Sequence, residues 1–245
     1  MLGMAPRLLV LFAREPRREA RDKGLAAGSG ERLFAAFGRG WIEAAQSCGA
    51  RVLIATPACD RPGWRRALPG TRFGFLEQRG SSLGARLEDA ARQAAGGGGC
   101  VVLVGGDVAP SAQSLAAAFN LRERATDAVI APARDGGVSL VSLREEDLDL
   151  LGRFAPRRAD VFSRFSRSLT LRRRRITVVA PAGDVDGRRE LGRLLKTTAF
   201  PSLDLRALAR AALDAERWTR VRSTPRIATV LSLDPHLSRG PPLAA

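Results

Sequence analysis

A chain of 245 residues, 45% of them hydrophobic, can fill one large α/β domain or two small ones, and no apolar run approaches the roughly 20 residues that a membrane-spanning helix needs. Its three cysteines, Cys48, Cys59 and Cys100, stand in no metal-ligand spacing, which argues against zinc and against a disulfide framework. The formal charge of +15 suits anionic ligands, yet Lys23 and Lys196 are the only lysines and tyrosine is absent, so the bias is one of arginine and nucleic acid is not the expected partner.

Arg7 to Ala13, RLLVLFA, reads as a buried first strand. It is too short and too soon followed by charge for a signal peptide, so a cytoplasmic protein is expected. The following AREPRREARDKGL is charged and aperiodic and reads as a loop. From Glu31, the residues Leu33, Phe34, Phe37, Trp41, Ala45 and Cys48 recur at helical spacing, and Gly49 closes the pattern. The chain returns in a second strand, Arg51 to Thr56, making the crossover unit of a parallel sheet. Trp41 is read as core. Trp64 is expected to hold down a short helix within an otherwise irregular PACDRPGWRRALPG, before a third strand in RFGFLEQ.

Gly80 and two serines then lead into a helix with Leu83, Leu87, Ala90, Ala91 and Ala94 in one stripe. Ser81 or Ser82 can cap it, and the remaining free amides can accept a phosphate or the polar edge of a base. A capped helix with nothing bound is the plainer reading. The central stretch is CVVLVGGDVAP, Cys100 to Pro110: a strand buried on both faces, two glycines for a sharp turn, and Asp107 at its carboxyl end. In an open α/β sheet ligands bind there, so Asp107 is placed to hold a divalent metal and a diphosphate, or else simply to cap the next helix.

That helix starts at Ser111 and leads to a strand in Asp127 to Ala133. In RDGGVSLVSL, Gly136 and Gly137 leave open backbone, and Asp135 can accept hydroxyl hydrogen bonds, act as base, or merely make a tight hairpin turn. EEDLDLLGRF and ADVFSRFSRSL read as short helices. Arg172 to Arg175 reads as a solvated edge before a last strand in ITVVAP. Asp184 and Asp186, two apart, share one side of an extended backbone and can face one cation or precede the helix Arg188 to Leu195. An amphipathic helix from Leu203 to Trp218 completes a single domain over 1–218, followed by a Pro- and Arg-rich tail over 219–245 whose His236 is read as solvated rather than catalytic.

QRGSSLGARL, GGDVAP, ARDGGVSLVSL and GDVDGRREL, in this order, resemble the bacterial rSAM/selenodomain-associated transferase 1 family, the arsenosugar-biosynthesis-type glycosyltransferases of the nucleotide-diphospho-sugar transferase (GT-A) superfamily, from about Arg7 to Leu195. The resemblance implies a GT-A fold, a mostly parallel sheet with helices on both faces, and transfer of a sugar from a nucleotide-diphosphate donor to a small-molecule acceptor. It implies catalytic roles for Asp107 and Asp135, and donor contacts at Ala13, Arg14, Lys23, Gln78, Gly80, Leu83, Gly84, Arg86, Gly136 and Gly137. It further implies a Mg²⁺ or Mn²⁺ ion on Asp107 and Asp186, and it is compatible with a homodimer.

Several positions depart from the family pattern. Asp22, Lys23 and Gly24 replace a Lys-Thr-Arg triplet, Val108, Ala109 and Pro110 replace Cys-Pro-Asp after Asp107, Arg134 replaces a Glu, and Val138 and Ser139 replace two tyrosines. Two other classes of function therefore stand beside glycosyl transfer. One is nucleotidyl transfer of the cofactor-guanylyltransferase kind, which needs a glycine-rich loop after the first strand; the other is a catalytically silent, nucleotide-binding partner subunit.

Overall fold

A computed structural model describes residues 6–124, 126–154, 160–180, 183–196 and 204–213. Seven strands, β1 (Arg7–Phe12), β2 (Arg51–Thr56), β3 (Gly74–Glu77), β4 (Cys100–Gly105), β5 (Ala128–Pro132), β6 (Val138–Leu143) and β7 (Ile176–Val178), lie in the order β3-β2-β1-β4-β6-β5-β7. β6 alone runs against its neighbours β4 and β5; the other pairings are parallel. This is an α/β fold of the GT-A type, as the sequence implied.

The sheet is apolar on both faces because helices cover both. Alternate residues point to opposite sides. Leu9, Leu11, Ile54, Val102 and Val104 meet α2 (Ala27–Ser47), α3 (Arg61–Ala67) and α5 (Ala112–Arg124) through Trp41, Trp64, Leu115 and Phe119. Val10, Val101, Leu103 and Ile130 meet α4 (Leu83–Ala95), α6 (Val161–Leu171) and a 3₁₀ helix over Glu145–Arg153 through Ala90, Ala91, Leu151 and Phe165. A third cluster joins α1 (Pro16–Asp22), α2, α7 (Arg188–Leu195) and a helix over 204–213, with Ala20, Phe34, Val185, Leu191 and Ala209 buried in it.

Two expectations are corrected. The segment read as a loop after β1 holds α1, started by Pro16 and closed at Lys23. Its one deeply buried side chain besides the proline, Ala20, is too little for a visible period, and packing on α2 supplies the stability. The run Arg172 to Arg175 is a solvated edge only in part, since Arg173 and Arg175 are exposed while Arg172 and Arg174 are half-buried in ion pairs. Arg172 pairs with Asp147 at 3.0 Å and Asp149 at 2.6 Å, Arg174 pairs with Asp147 at 2.8 Å, and the Arg175 amide donates to Asp127 at 2.8 Å. Asp147 is fully buried, and these cations neutralise it where it pins the 3₁₀ helix to the end of α6.

The expected helix from Leu203 is described only over 204–213; Leu203, residues 214–218 and the tail with His236 lie outside the described residues. Among the described residues no helix is long and apolar enough to cross a membrane.

Candidate active site

The strand order reverses between β1, whose connection leads to β2 on one side, and β4 on the other, and the crevice at such a switch point is where open α/β sheets bind ligands. β4 reaches it through Gly105 and Gly106. The Gly106 amide donates to the Phe12 carbonyl at 3.0 Å, and a Cβ at Gly106 would stand 2.3 Å from that of Ala13, so only glycine lets this turn lie against the end of β1. Asp107 follows. Its position is fixed from below by the Trp41 indole N–H, which donates to the Val108 carbonyl at 2.9 Å.

Asp107 is also fixed from the side. The Val185 amide donates to the Asp107 carbonyl at 3.0 Å, and the Ala109 amide to the Gly183 carbonyl at 2.8 Å. Val185 is fully buried in the third apolar cluster. Asp184 and Asp186, on either side of it, therefore face outward together, as their spacing predicts. The Asp135 carboxylate joins them: one oxygen from each of Asp135, Asp184 and Asp186 lies within 4.8 Å of the others.

Lys23, at the end of α1, reaches into this group. Its Nζ lies 2.7 Å from Asp107 Oδ2, 2.6 Å from Asp186 Oδ1 and 3.9 Å from Glu19 Oε1. Burial works against the Lys23 charge, but the two aspartates outweigh it and raise its pKa. Glu19 is pushed up to about 7, first by burial and then by repulsion from Asp107, against the pull of Lys23. Asp184 is pushed up to about 6 by burial, with Asp186, Asp135 and Asp107 adding repulsion.

These carboxylates line a cavity of about 880 Å³, together with Arg14, Gly137, Ser139 and Phe154. It opens into a narrower cleft of about 310 Å³ lined by Phe12, Ala13, Gln78, Leu83, Arg86, Leu87, Leu103 and Leu140. Arg14, Glu19, Leu83 and Asp107 border both. The Ser82 hydroxyl accepts from the Ala85 amide at 3.1 Å and caps α4, so the start of that helix and the end of β4 border one concavity.

Most residues singled out in the sequence converge here, in differing capacities. Ala13, Arg14, Lys23, Gln78, Leu83, Arg86, Asp107, Asp135, Gly137 and Asp186 line the two cavities. Gln78 spends its amide nitrogen on the Ala55 carbonyl at 2.8 Å. Arg14 pairs with Asp22, and Arg86 donates to the Gly80 carbonyl at 3.0 Å, where φ is +129°. Gly84 serves packing: a Cβ there would lie 2.5 Å from the Gly152 carbonyl oxygen, so its absence seats α4 on the 3₁₀ helix. Asp135 and Gly136 do form the hairpin turn between β5 and β6, with Gly136 at φ +89° and the Asp135 side chain accepting from the Gly137 amide at 2.8 Å. The turn and the cavity wall are the same element.

Glu19 and Phe154 line both cavities and were not singled out. Glu19 stands one helical turn before Lys23, and that spacing behind a helix-starting proline was the available signal.

The donor set fits a hard cation, since Asp135, Asp184 and Asp186 offer carboxylate oxygens, the ligand type that Mg²⁺ and Mn²⁺ take. Their mutual repulsion at Asp184 is what such an ion would relieve. Between Asp107 and Asp186, the pair expected to hold the metal, stands the Lys23 ammonium.

Among solved structures, a Desulfovibrio desulfuricans G20 protein assigned as a nucleotide-diphospho-sugar transferase is 24% identical over 89% of this chain and 98% of its own, with a TM-score of 0.72. A Methanothermobacter nucleotidyl transferase is 16% identical over 77% of this chain and 95% of its own, with a TM-score of 0.53. The inositol-1-phosphate CTP transferase from T. maritima is 11% identical over 84% and 96%, with a TM-score of 0.52. These likenesses carry the fold. No curated protein matches the sequence. Residues 41–164, which contain the capped start of α4, the Asp107 turn and the Asp135 hairpin, match the family DUF2064, described as an uncharacterized protein conserved in bacteria, and the chain belongs to that family.

Proposed function

We propose that this protein is a glycosyltransferase that takes a sugar from a nucleotide-diphosphate donor and passes it to a small hydroxylated acceptor. One observation carries the reading: Asp107 and the Ser82-capped start of α4 border a single concavity over the carboxyl ends of β1 and β4. The nucleoside lies in the narrow apolar cleft, beside Gln78, Leu83 and Arg86. The diphosphate extends past Gly105 and Gly106 toward Arg14 and Lys23, and the sugar lies against the open backbone of Gly136 and Gly137.

In the transfer, the acceptor oxygen bonds to the anomeric carbon while the bond from that carbon to the diphosphate oxygen breaks, and the leaving diphosphate keeps the electron pair. The Asp135 carboxylate oxygen that the cation leaves unused takes the acceptor's hydroxyl proton. Arg14 and Lys23 stabilise the negative charge that grows on the leaving group. Asp135, Asp184 and Asp186 would hold a Mg²⁺ or Mn²⁺ ion, which supplies Lewis-acid neutralisation of the diphosphate when bound. Asp107 borders the donor and holds Lys23 at the mouth of the site before the cation and diphosphate enter.

Nucleotidyl transfer is disfavoured by a specific feature, since the stretch after β1 is the compact helix α1 and not an open glycine-rich loop. Calorimetry with nucleoside-diphosphate sugars and Mn²⁺ is the test. The wild-type protein binds and turns over a donor, and Asp107→Ala loses about 10²- to 10³-fold in turnover, the scale for one electrostatic stabiliser. Donor binding and turnover untouched by Asp107→Ala would refute the reading, and so would pyrophosphate release from nucleoside triphosphates.

A further inference from the structure

Lysine is the exception in this chain. Of 40 basic residues, only Lys23 and Lys196 are lysines, so a lysine inside the cavity stands against a strong arginine background. Its geometry gives the reason. A guanidinium is a flat fork suited to a single carboxylate, whereas an ammonium is compact, with three donors radiating from one atom. The Lys23 Nζ meets Asp107 at 2.7 Å, Asp186 at 2.6 Å and Glu19 at 3.9 Å. These oxygens come from α1, from the end of β4 and from the segment after β7, an arrangement that resembles an inorganic cation held by separate segments. This cation is tethered by a flexible stem to the last turn of α1, next to Gly24, whose φ of +66° turns the chain away.

Resting on the donor reading above, we propose that Lys23 is an exchangeable internal counter-ion. In the ligand-free protein its ammonium neutralises Asp107 and Asp186. A divalent cation entering among Asp135, Asp184 and Asp186 displaces it, because Asp186 belongs to both sets and two cations a few ångströms apart repel. The displaced ammonium is then free to pair with the incoming diphosphate. Lys23 and the metal ion thus oppose each other while the site holds no phosphate, and act together once it does.

The inversion of sign is the test, and it needs no turnover. Mn²⁺ binding is measured by calorimetry on the nucleotide-free protein, and inorganic pyrophosphate is the probe for the second state. Lys23→Met binds Mn²⁺ roughly tenfold tighter than wild type or better, and with Mn²⁺ present it binds pyrophosphate roughly tenfold weaker or worse. Lys23→Arg, which keeps the charge, shows no tightening toward Mn²⁺. Equal or weaker Mn²⁺ binding by Lys23→Met, or tightening by Lys23→Arg, overturns the proposal.

A wild-type measurement guards against misfolded variants. Because the chain has two lysines, lysine-selective ¹³C NMR gives two ε-carbon signals, and saturating Mg²⁺ moves that of Lys23. A Lys23 signal that stays still at saturating Mg²⁺ also overturns the proposal. None of these measurements uses a nucleotide-sugar, so an absence of glycosyl transfer would leave their outcome intact, and their failure would leave donor turnover untouched.

Discussion

The narrow cleft and the wide cavity share a border at Arg14, Glu19, Leu83 and Asp107, yet they are built on opposite principles. In the cleft, polar groups are satisfied by the protein itself: Gln78 on the Ala55 carbonyl, Arg86 on the Gly80 carbonyl and Ser82 on the Ala85 amide. Apolar walls such as Leu87, Leu103 and Leu140 complete it. It is a preformed shape. The cavity is lined by Glu19, Asp107, Asp135, Asp184 and Asp186, with Lys23 paired to Asp107 and Asp186, and the raised pKa values of Glu19 and Asp184 record burial first and repulsion from neighbouring carboxylates second. That half is electrostatically incomplete. A strongly basic chain thus lines this cavity with more acids than bases, so a diphosphate entering it should bring a cation with it.

The contrast can be broken most severely through the support beneath Asp107. Trp41 is fully buried and hydrogen-bonded to Val108, so Trp41→Ala should cost about 3–5 kcal/mol in chemical denaturation. Leu83→Ala, on the rim of the cleft at 36% exposure, should cost far less in the same measurement. Comparable losses would mean that the two halves do not differ in their anchoring.

The incompleteness of the acidic half predicts a pH dependence. Glu19 keeps its proton to about pH 7 in the folded protein, against an ordinary value of 4.5. Between those values the folded state binds more protons than the unfolded chain, so stability should fall as pH rises through that window, by roughly 3 kcal/mol in all. Glu19→Gln should remove most of the fall, leaving the part below about pH 6 that Asp184 contributes, and be the more stable protein at pH 8. Urea melts of both proteins at pH 5 and pH 8 decide this, and parallel behaviour of the two would contradict it.

The shape of the cleft is probed by Gly84→Val. Overpacking against the Gly152 carbonyl should cost about 1–3 kcal/mol, and the displaced α4 should weaken nucleoside binding while leaving Mn²⁺ binding alone. The smallest effect belongs to Ser82→Ala, about 1 kcal/mol from loss of the cap, read as a lowered melting temperature. A variant at either position that altered Mn²⁺ affinity would show that the two halves are coupled.

What the sequence disclosed was local. The apolar runs of β1, β2 and β4 announced buried strands, Ser82 announced a cap, and the alternation of Asp184, Val185 and Asp186 announced two outward carboxylates with a buried residue between. What it withheld was set by distant partners. The period of α1 was hidden because its one inner face rests mainly on Ala20, so the Glu19 carried by that helix was hidden as well. Arg172 and Arg174 looked solvated because their partners, Asp147 and Asp149, lie on another segment. The meeting of Lys23 with Asp107 and Asp186 spans most of the fold and leaves no mark in any short window. Gly84, expected at the ligand, is explained by a carbonyl across a helix contact.

The hydrogen bond from the Val185 amide to the Asp107 carbonyl, and the pairing of Lys23 at the end of α1 with Asp107 and Asp186, have a consequence for biogenesis. The mouth of the site is sewn together from segments far apart in the chain, the end of α1 near residue 23, the end of β4 at Asp107 and the stretch over 183–186. On the ribosome, the apolar sheet from β1 to β4 can collapse while the acids around residue 185 are still unmade, so this enzyme-like architecture acquires its charge centre as one of its last folding events.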